Sequence, residues 1–107
     1  MADNPLEATK KFPIVPHHEV RETFAEQVGF MMFDGSTLKI DFTVVRMNEP
    51  GPSSPPAGER HVVSRLVLSM NGAIDLINQM SRLAGQLAQS GLLKMEQGQV
   101  TPQTEPN

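Results

Sequence analysis

The stretch Val28-Gly29-Phe30-Met31-Met32-Phe33-Asp34-Gly35-Ser36-Thr37-Leu38-Lys39-Ile40-Asp41-Phe42-Thr43-Val44 decides the fold. Val28, Phe30 and Met32 alternate with Gly29, Met31 and Phe33, and both sets are largely apolar, which reads as a strand covered on both faces. Leu38, Ile40, Phe42 and Val44 alternate with Lys39, Asp41 and Thr43, the period of two that marks a strand with one buried face. Asp34-Gly35-Ser36-Thr37 between them carries turn chemistry, so the two runs form a hairpin. A two-residue loop at Asp34-Gly35 would set Phe30 against Lys39. An odd loop of three or five residues pairs Met32 with Leu38, Phe30 with Ile40 and Val28 with Phe42. Burial predicts the odd loop, because a one-residue slip moves every apolar side chain to the wrong face.

Working outward, residues 60–68 (Arg-His-Val-Val-Ser-Arg-Leu-Val-Leu) predict a third strand. Val62, Ser64, Leu66 and Leu68 share one face of it, and Val63, Arg65 and Val67 the other. Asp41 and Arg65 are placed to pair across the sheet. Ser69-Met70-Asn71-Gly72 ends the strand and opens a helix, with Ser69 or Asn71 as the N-cap and Asp75 in the first turn, where the helix dipole favours a carboxylate. That helix runs to about Ser90, with Gly91 at the position after the C-cap. Ala73, Leu76, Ile77, Met80, Leu83, Ala84 and Leu87 form its apolar stripe. Residues 19–26 read equally as a helical turn or as a lead-in to the first strand.

The nine prolines fall in three clusters, within residues 1–16, 50–56 and 102–106. Proline neither donates to a sheet nor sits inside a helix, so these stretches are expected outside regular structure. Residues 1–16 then read as a disordered or loosely docked arm, in which Phe12, Ile14 and Val15 form a short extended segment. Residues 17–91 read as a single α+β domain interrupted by a Pro-rich loop at 47–59, and residues 92–107 as a disordered tail. The expected architecture is a three-stranded antiparallel meander with one packed C-terminal amphipathic helix and flexible termini. One helix covers one sheet face, and the other still carries Met31, Phe33, Val63 and Val67. An apolar face of that kind is seldom left wet, so these four residues are the expected interface of a homo-oligomer.

The chain has 107 residues, room for one domain, and a formal net charge of −3. No segment is basic: residues 17–89 hold six basic and eight acidic side chains. The electrostatic footprint of a nucleic-acid binder is therefore missing. There is no cysteine, which excludes disulfides and thiolate metal sites. Without a signal peptide or an apolar run of membrane-spanning length, a cytoplasmic protein with no membrane contact is expected.

Two stretches carry a family resemblance. Phe24-Ala25-Glu26-Gln27-Val28, a turn, and Leu38-Lys39-Ile40-Asp41-Phe42 form the first; Val62-Val63-Ser64-Arg65-Leu66-Val67-Leu68-Ser69, followed by the helix with Ala73, Leu76 and Ile77, forms the second. Across about residues 24–88 the chain resembles the small, mostly bacterial domain-of-unknown-function 3467 family. It differs from that pattern at Glu26, where Asn or Asp is usual, and at Met70-Asn71-Gly72, which stands where the family has a Pro-Glu-His-like cap. The resemblance implies the strand–strand–strand–helix layout and nothing catalytic.

No constellation of acid, base and nucleophile emerges. His17-His18 with Glu19 and Glu22 lacks a third nearby histidine, and adjacent histidines point apart, so an exposed pair is expected rather than a metal site. Ser64 and Ser69 have no base or orienting partner in view. No phosphate-cradling Gly-rich loop occurs. No catalytic residue, metal site or cofactor is expected, and the chain reads as an interaction or scaffold module that binds itself and another protein. Two alternatives compete with it. A strand followed by a capped helix is half of a ribbon-helix-helix DNA binder, with Arg60, Ser64 and Arg65 as the contacting residues, although the second helix is missing. Methionines at 31, 32, 70 and 80 suggest a chaperone-like, client-binding assembly.

Overall fold

The computed structural model describes residues 5–49, 51–52 and 55–103. Their element order is helix α1 (Pro5–Thr9), strands β1 (Gln27–Phe33), β2 (Thr37–Met47) and β3 (Gly58–Ser69), helix α2 (Met70–Gln89), and strands β4 (Leu93–Glu96) and β5 (Gln99–Pro102). The fold is α+β: an antiparallel sheet in the order β1-β2-β3, a C-terminal helix, and a second sheet of β4 and β5. The chain divides into two units, Met1–Asn71 and Gly72–Asn107.

In the first unit the hairpin turns on Asp34. Its Oδ1 accepts from the backbone N–H of Ser36 at 2.9 Å and of Thr37 at 2.8 Å, and from the Ser36 hydroxyl at 3.2 Å. Its Oδ2 accepts from the Thr37 hydroxyl at 3.1 Å. These donors, led by the Ser36 and Thr37 amides, hold the carboxyl well below the usual carboxylate range. Gly35 takes φ 100°, a left-handed conformation that glycine adopts without a Cβ clash. The Asp34 N–H also donates to the Thr37 carbonyl at 3.1 Å, so the loop proper is Gly35-Ser36.

That even loop corrects the odd register expected from burial. Phe33 pairs with Leu38, Met32 with Lys39, Met31 with Ile40 and Phe30 with Asp41. The register then shifts at Gly29, and Val28 pairs with Phe42 and Gln27 with Thr43. The expected Val28–Phe42 pair therefore forms, while Met32–Leu38 and Phe30–Ile40 do not. Asp34 gains four hydrogen bonds from this turn, and the bulge at Gly29 recovers the apolar pairing one residue later. A side chain at residue 29 would force Thr43 aside: a Cβ there would lie 2.7 Å from Thr43 Cγ2. Thr43 is itself buried, and its hydroxyl donates to the Gln27 carbonyl at 3.3 Å.

β2 and β3 pair from Thr37–Ser69 to Phe42–Ser64, and from Thr43–Val62 to Met47–Gly58, with a second register shift between. Val63 is the extra residue of that shift. Val62 consequently lies opposite Thr43 and shares the face of Val67 and Arg65, rather than that of Leu66 and Leu68. The Pro-rich connection is shorter than expected, because Met47, Gly58 and Glu59 belong to the strands. Asn48 N–H donates to the Ala57 carbonyl at 2.8 Å across its base. Of the expected Pro-rich loop, Pro50, Ser53 and Ser54 lie outside the described residues. The lead-in is not helical: among residues 19–26, Val20 closes a turn on the His17 carbonyl at 3.1 Å, and Glu26 N–H joins the sheet at the Thr43 carbonyl at 2.8 Å. The arm is not wholly irregular, since α1 forms at residues 5–9; a proline at the first helical position withholds no needed donor.

Helix α2 begins at Met70, at the end of the first unit, which leaves Ser69 at the N-cap position and puts Asn71 inside the helix; the rest of it belongs to the second unit. Asp75 falls beyond the first turn, one turn later than expected. The helix ends as the sequence predicts. Gly91, at φ 83°, donates to the Ala88 carbonyl at 3.1 Å, and Leu92 N–H to the Leu87 carbonyl at 2.9 Å, the paired bonds of a Schellman motif. Residues 93–102 were expected to be tail but form the β4–β5 hairpin. Its two-residue loop is Gln97-Gly98, at φ 51° and 78°, the backbone of a type I′ turn. Leu93, Met95 and Val100 fall on one face of it and Lys94, Glu96 and Thr101 on the other. Pro102 is accommodated as the last residue of an edge strand. Residues 104–107 of the expected tail, and residues 1–4 of the arm, lie outside the described residues.

Gly29→Ala is expected to lower unfolding stability by about 1–3 kcal/mol in a urea titration, since Thr43 is β-branched, buried and slow to yield. Thr43→Ser removes the opposing methyl and should recover part of that loss in the double variant. The Asp34 pKa is lower in the folded than in the unfolded chain. Its contribution to stability is therefore present above about pH 4 and is lost as the pH falls through the folded value. The difference in melting temperature between wild type and Asp34→Ala should accordingly hold from neutral pH to about pH 5 and shrink below about pH 4.

Candidate interaction surface

Cross-strand pairs share a face, so the registers assign each side chain of the first sheet to one of two surfaces. One surface carries Val28, Met31 and Phe33 from β1, Leu38, Ile40, Phe42 and Val44 from β2, and Ser64, Leu66 and Leu68 from β3. From the turn up to Val44 it holds no titratable side chain; from Val44 on, the same face continues with His61, Arg46 and Glu59. Ile40, at its centre, is 2% exposed, whereas Met31 is 56% and Phe33 46% exposed. Every residue of β1 is exposed. This charge-free surface is the first candidate for an interface.

The opposite surface is mixed. Phe30, Met32, Val62 and Val67 are exposed on it beside Lys39, Asp41, Arg60 and Arg65. Its charges are engaged within the sheet. Arg65 Nε donates to Asp41 Oδ1 at 3.2 Å, the cross-strand pair anticipated from the sequence. Arg60 Nη2 donates to the Val28 carbonyl at 3.0 Å, so a side chain of β3 spans β2 to reach the backbone at the β1 bulge. The Glu26 carboxylate accepts from Val45 N–H at 2.8 Å, where β1 no longer accompanies β2.

The four residues expected to form an oligomer interface do not converge. Met31 and Phe33 lie on the charge-free surface and Val67 on the mixed one, while Val63 is the unpaired residue of the β3 bulge. The cause is the even turn, which exchanges the two apolar sets of β1. The residues expected for DNA contact are likewise divided: Ser64 faces the charge-free side, and Arg60 and Arg65 are bonded on the other. Sequence reasoning could have found the first shift, because an isolated glycine within a strand pattern signals a bulge. Nothing in Val62-Val63 signals the second.

Two concavities accompany these surfaces. In the first unit, Thr23, Ala25, Phe42, Ser64 and Leu66 line an open apolar cleft of about 400 Å³ on the charge-free side. In the second, Met80, Leu83 and Leu87 of α2 face Leu93, Met95 and Val100 of the hairpin around a groove of about 400 Å³. Polar chemistry is sparse. His17 bonds Glu19 at 3.0 Å and His61 bonds Glu59 at 2.9 Å, both at the surface. Among the described residues no three His, Asp or Glu side chains are grouped to hold a metal ion, and no helix is long and apolar enough to cross a membrane.

No family model, curated protein or solved structure matches the chain.

Arg60→Ala should expose the Val28 carbonyl at the bulge and cost about 1 kcal/mol of stability, read as a lowered urea midpoint at unchanged slope.

Proposed function

We propose that this protein is a small homo-oligomeric interaction module, a scaffold that binds partner proteins and performs no catalysis, working in the cytoplasm. The observation that carries this reading is the row Val28, Met31, Phe33 and Leu66: four large apolar side chains, all at least two-fifths exposed, on the part of the sheet surface between the turn and Val44 that holds no charged side chain. Contiguous apolar surface of this kind on a small protein marks an association site. A closed symmetric assembly covers it with the fewest distinct contacts. The groove of the second unit favours a second reading, a client-binding assembly, because flexible methionines at 80 and 95 suit an apolar surface that must repack around varied segments.

Light scattering across a concentration series should return a stable multiple of the 11.7 kDa chain mass. A mass of one chain at every concentration would overturn the oligomer. Phe33→Asp should dissociate the assembly into folded single chains, checked by circular dichroism. Val67→Asp, on the mixed surface, should leave the mass unchanged.

A further inference from the structure

The approach to β1 holds an unusual run of uncovered apolar side chains. Phe12 is 68% exposed, Ile14 91%, Val15 68%, Val20 73% and Phe24 76%. All belong to the first unit, and residues 13–17 and 21–25 are neither helix nor strand. Two prolines, Pro13 and Pro16, keep the segment around Ile14-Val15 extended and lower the entropy lost on docking.

The same unit carries a receptor. The cleft formed by Phe42, Ser64 and Leu66 is walled on one side by Thr23 and Ala25. Side chains alternate along an extended chain, so with Thr23 and Ala25 at the cleft, Phe24 between them points away from it, as its exposure shows. The segment next to the cleft therefore cannot fill it with its own ring, and the space is left for an apolar side chain from elsewhere. Residues 12–16, Phe-Pro-Ile-Val-Pro, are uncharged, and so is the surface around the cleft.

Resting on the oligomer reading above, we infer that the assembly is held by reciprocal exchange of this arm: residues 12–20 of each chain lie across the charge-free sheet surface of a second copy and place an apolar side chain in its cleft, while Thr23 and Ala25 stay at the cleft of their own chain. The dimensions agree. The nine residues 12–20 in extended form reach about 30 Å, and three strands span only about 10 Å between the outer two. At its exposure, Phe12 presents about 150 Å² of ring surface. Ile14, Val15 and Val20 add to it, and each copy buries its receiving sheet surface as well, toward one side of a standard interface, about 800 Å² per partner. Exchange is two-fold by construction, since each copy supplies one arm and one receiving surface.

The chain contains no cysteine, so introduced thiols report without background. Ile14→Cys chains mixed with Ser64→Cys, Leu66→Cys or Val28→Cys chains should form a disulfide between the two variants under mild oxidation. Phe12→Asp with Ile14→Asp should reduce the light-scattering mass to that of one chain while the circular dichroism of the sheet persists. An assembly whose mass survives the double arm substitution, or in which none of the three pairs cross-links, overturns arm exchange and leaves the oligomer standing. A disulfide that forms only within a chain carrying both thiols overturns exchange in favour of an arm folded on its own sheet. Wild-type protein with the mass of one chain at all concentrations overturns the oligomer and arm exchange together.

Discussion

The approach of two backbones at residue 29 governs the first unit. There the β1 main chain passes so close to Thr43 that a methyl group would sit 2.7 Å from Thr43 Cγ2. Because residue 29 has no side chain, β1 can add one residue against β2 and change register in place. On the turn side of the shift, Asp34 dictates an even loop; on the far side, Val28 meets Phe42. Without the shift one of these would be lost. The bulge also leaves the Val28 carbonyl accessible to Arg60, which reaches it from two strands away. Steric room, turn chemistry and a long-range hydrogen bond thus converge on one glycine.

The register decides what each surface can do. Met31 and Phe33 join Leu38, Ile40 and Leu66 to make a surface without charge, and Phe30 and Met32 are set among Lys39, Asp41 and Arg65. A mixed surface whose guanidinium groups already have acceptors has little left for a phosphate backbone. An uncharged surface with a cleft in it has no polar demand to satisfy and gains by leaving water. The separation of the two chemistries is what the proposal of protein association rests on. The second unit repeats the theme on a smaller scale, where the helix stripe at Met80, Leu83 and Leu87 and the hairpin row at Leu93, Met95 and Val100 face one groove.

Much of the fold was legible because local rules agree. The strands announce themselves by alternation, and the helix by its stripe and by Gly91 at its end, which the backbone uses in a Schellman motif. The Asp41–Arg65 pair was legible because opposite charges on neighbouring strands need only a register to meet. The β4–β5 hairpin was not, although Gln97-Gly98 stands between alternating residues. Four-residue strands give a weak pattern, Pro102 argues against pairing, and glutamine rarely takes φ 51°. The interface expected at Met31, Phe33, Val63 and Val67 dissolved for a related reason: strict alternation has no means of counting a bulge.

By itself, then, the amino-acid sequence determined the three long strands, the main helix and where that helix ends. These properties are set within a few residues of chain, by steric and hydrogen-bonding preferences that need no distant partner. Only the tertiary structure decided which apolar side chains share a surface. That outcome depends on Gly29 meeting Thr43 and on Val63 standing unpaired beside β2, contacts between residues 14 to 20 positions apart. A single inserted residue moves all that follows it to the opposite face, so the identity of the interaction surface rests on the three-dimensional meeting of strands.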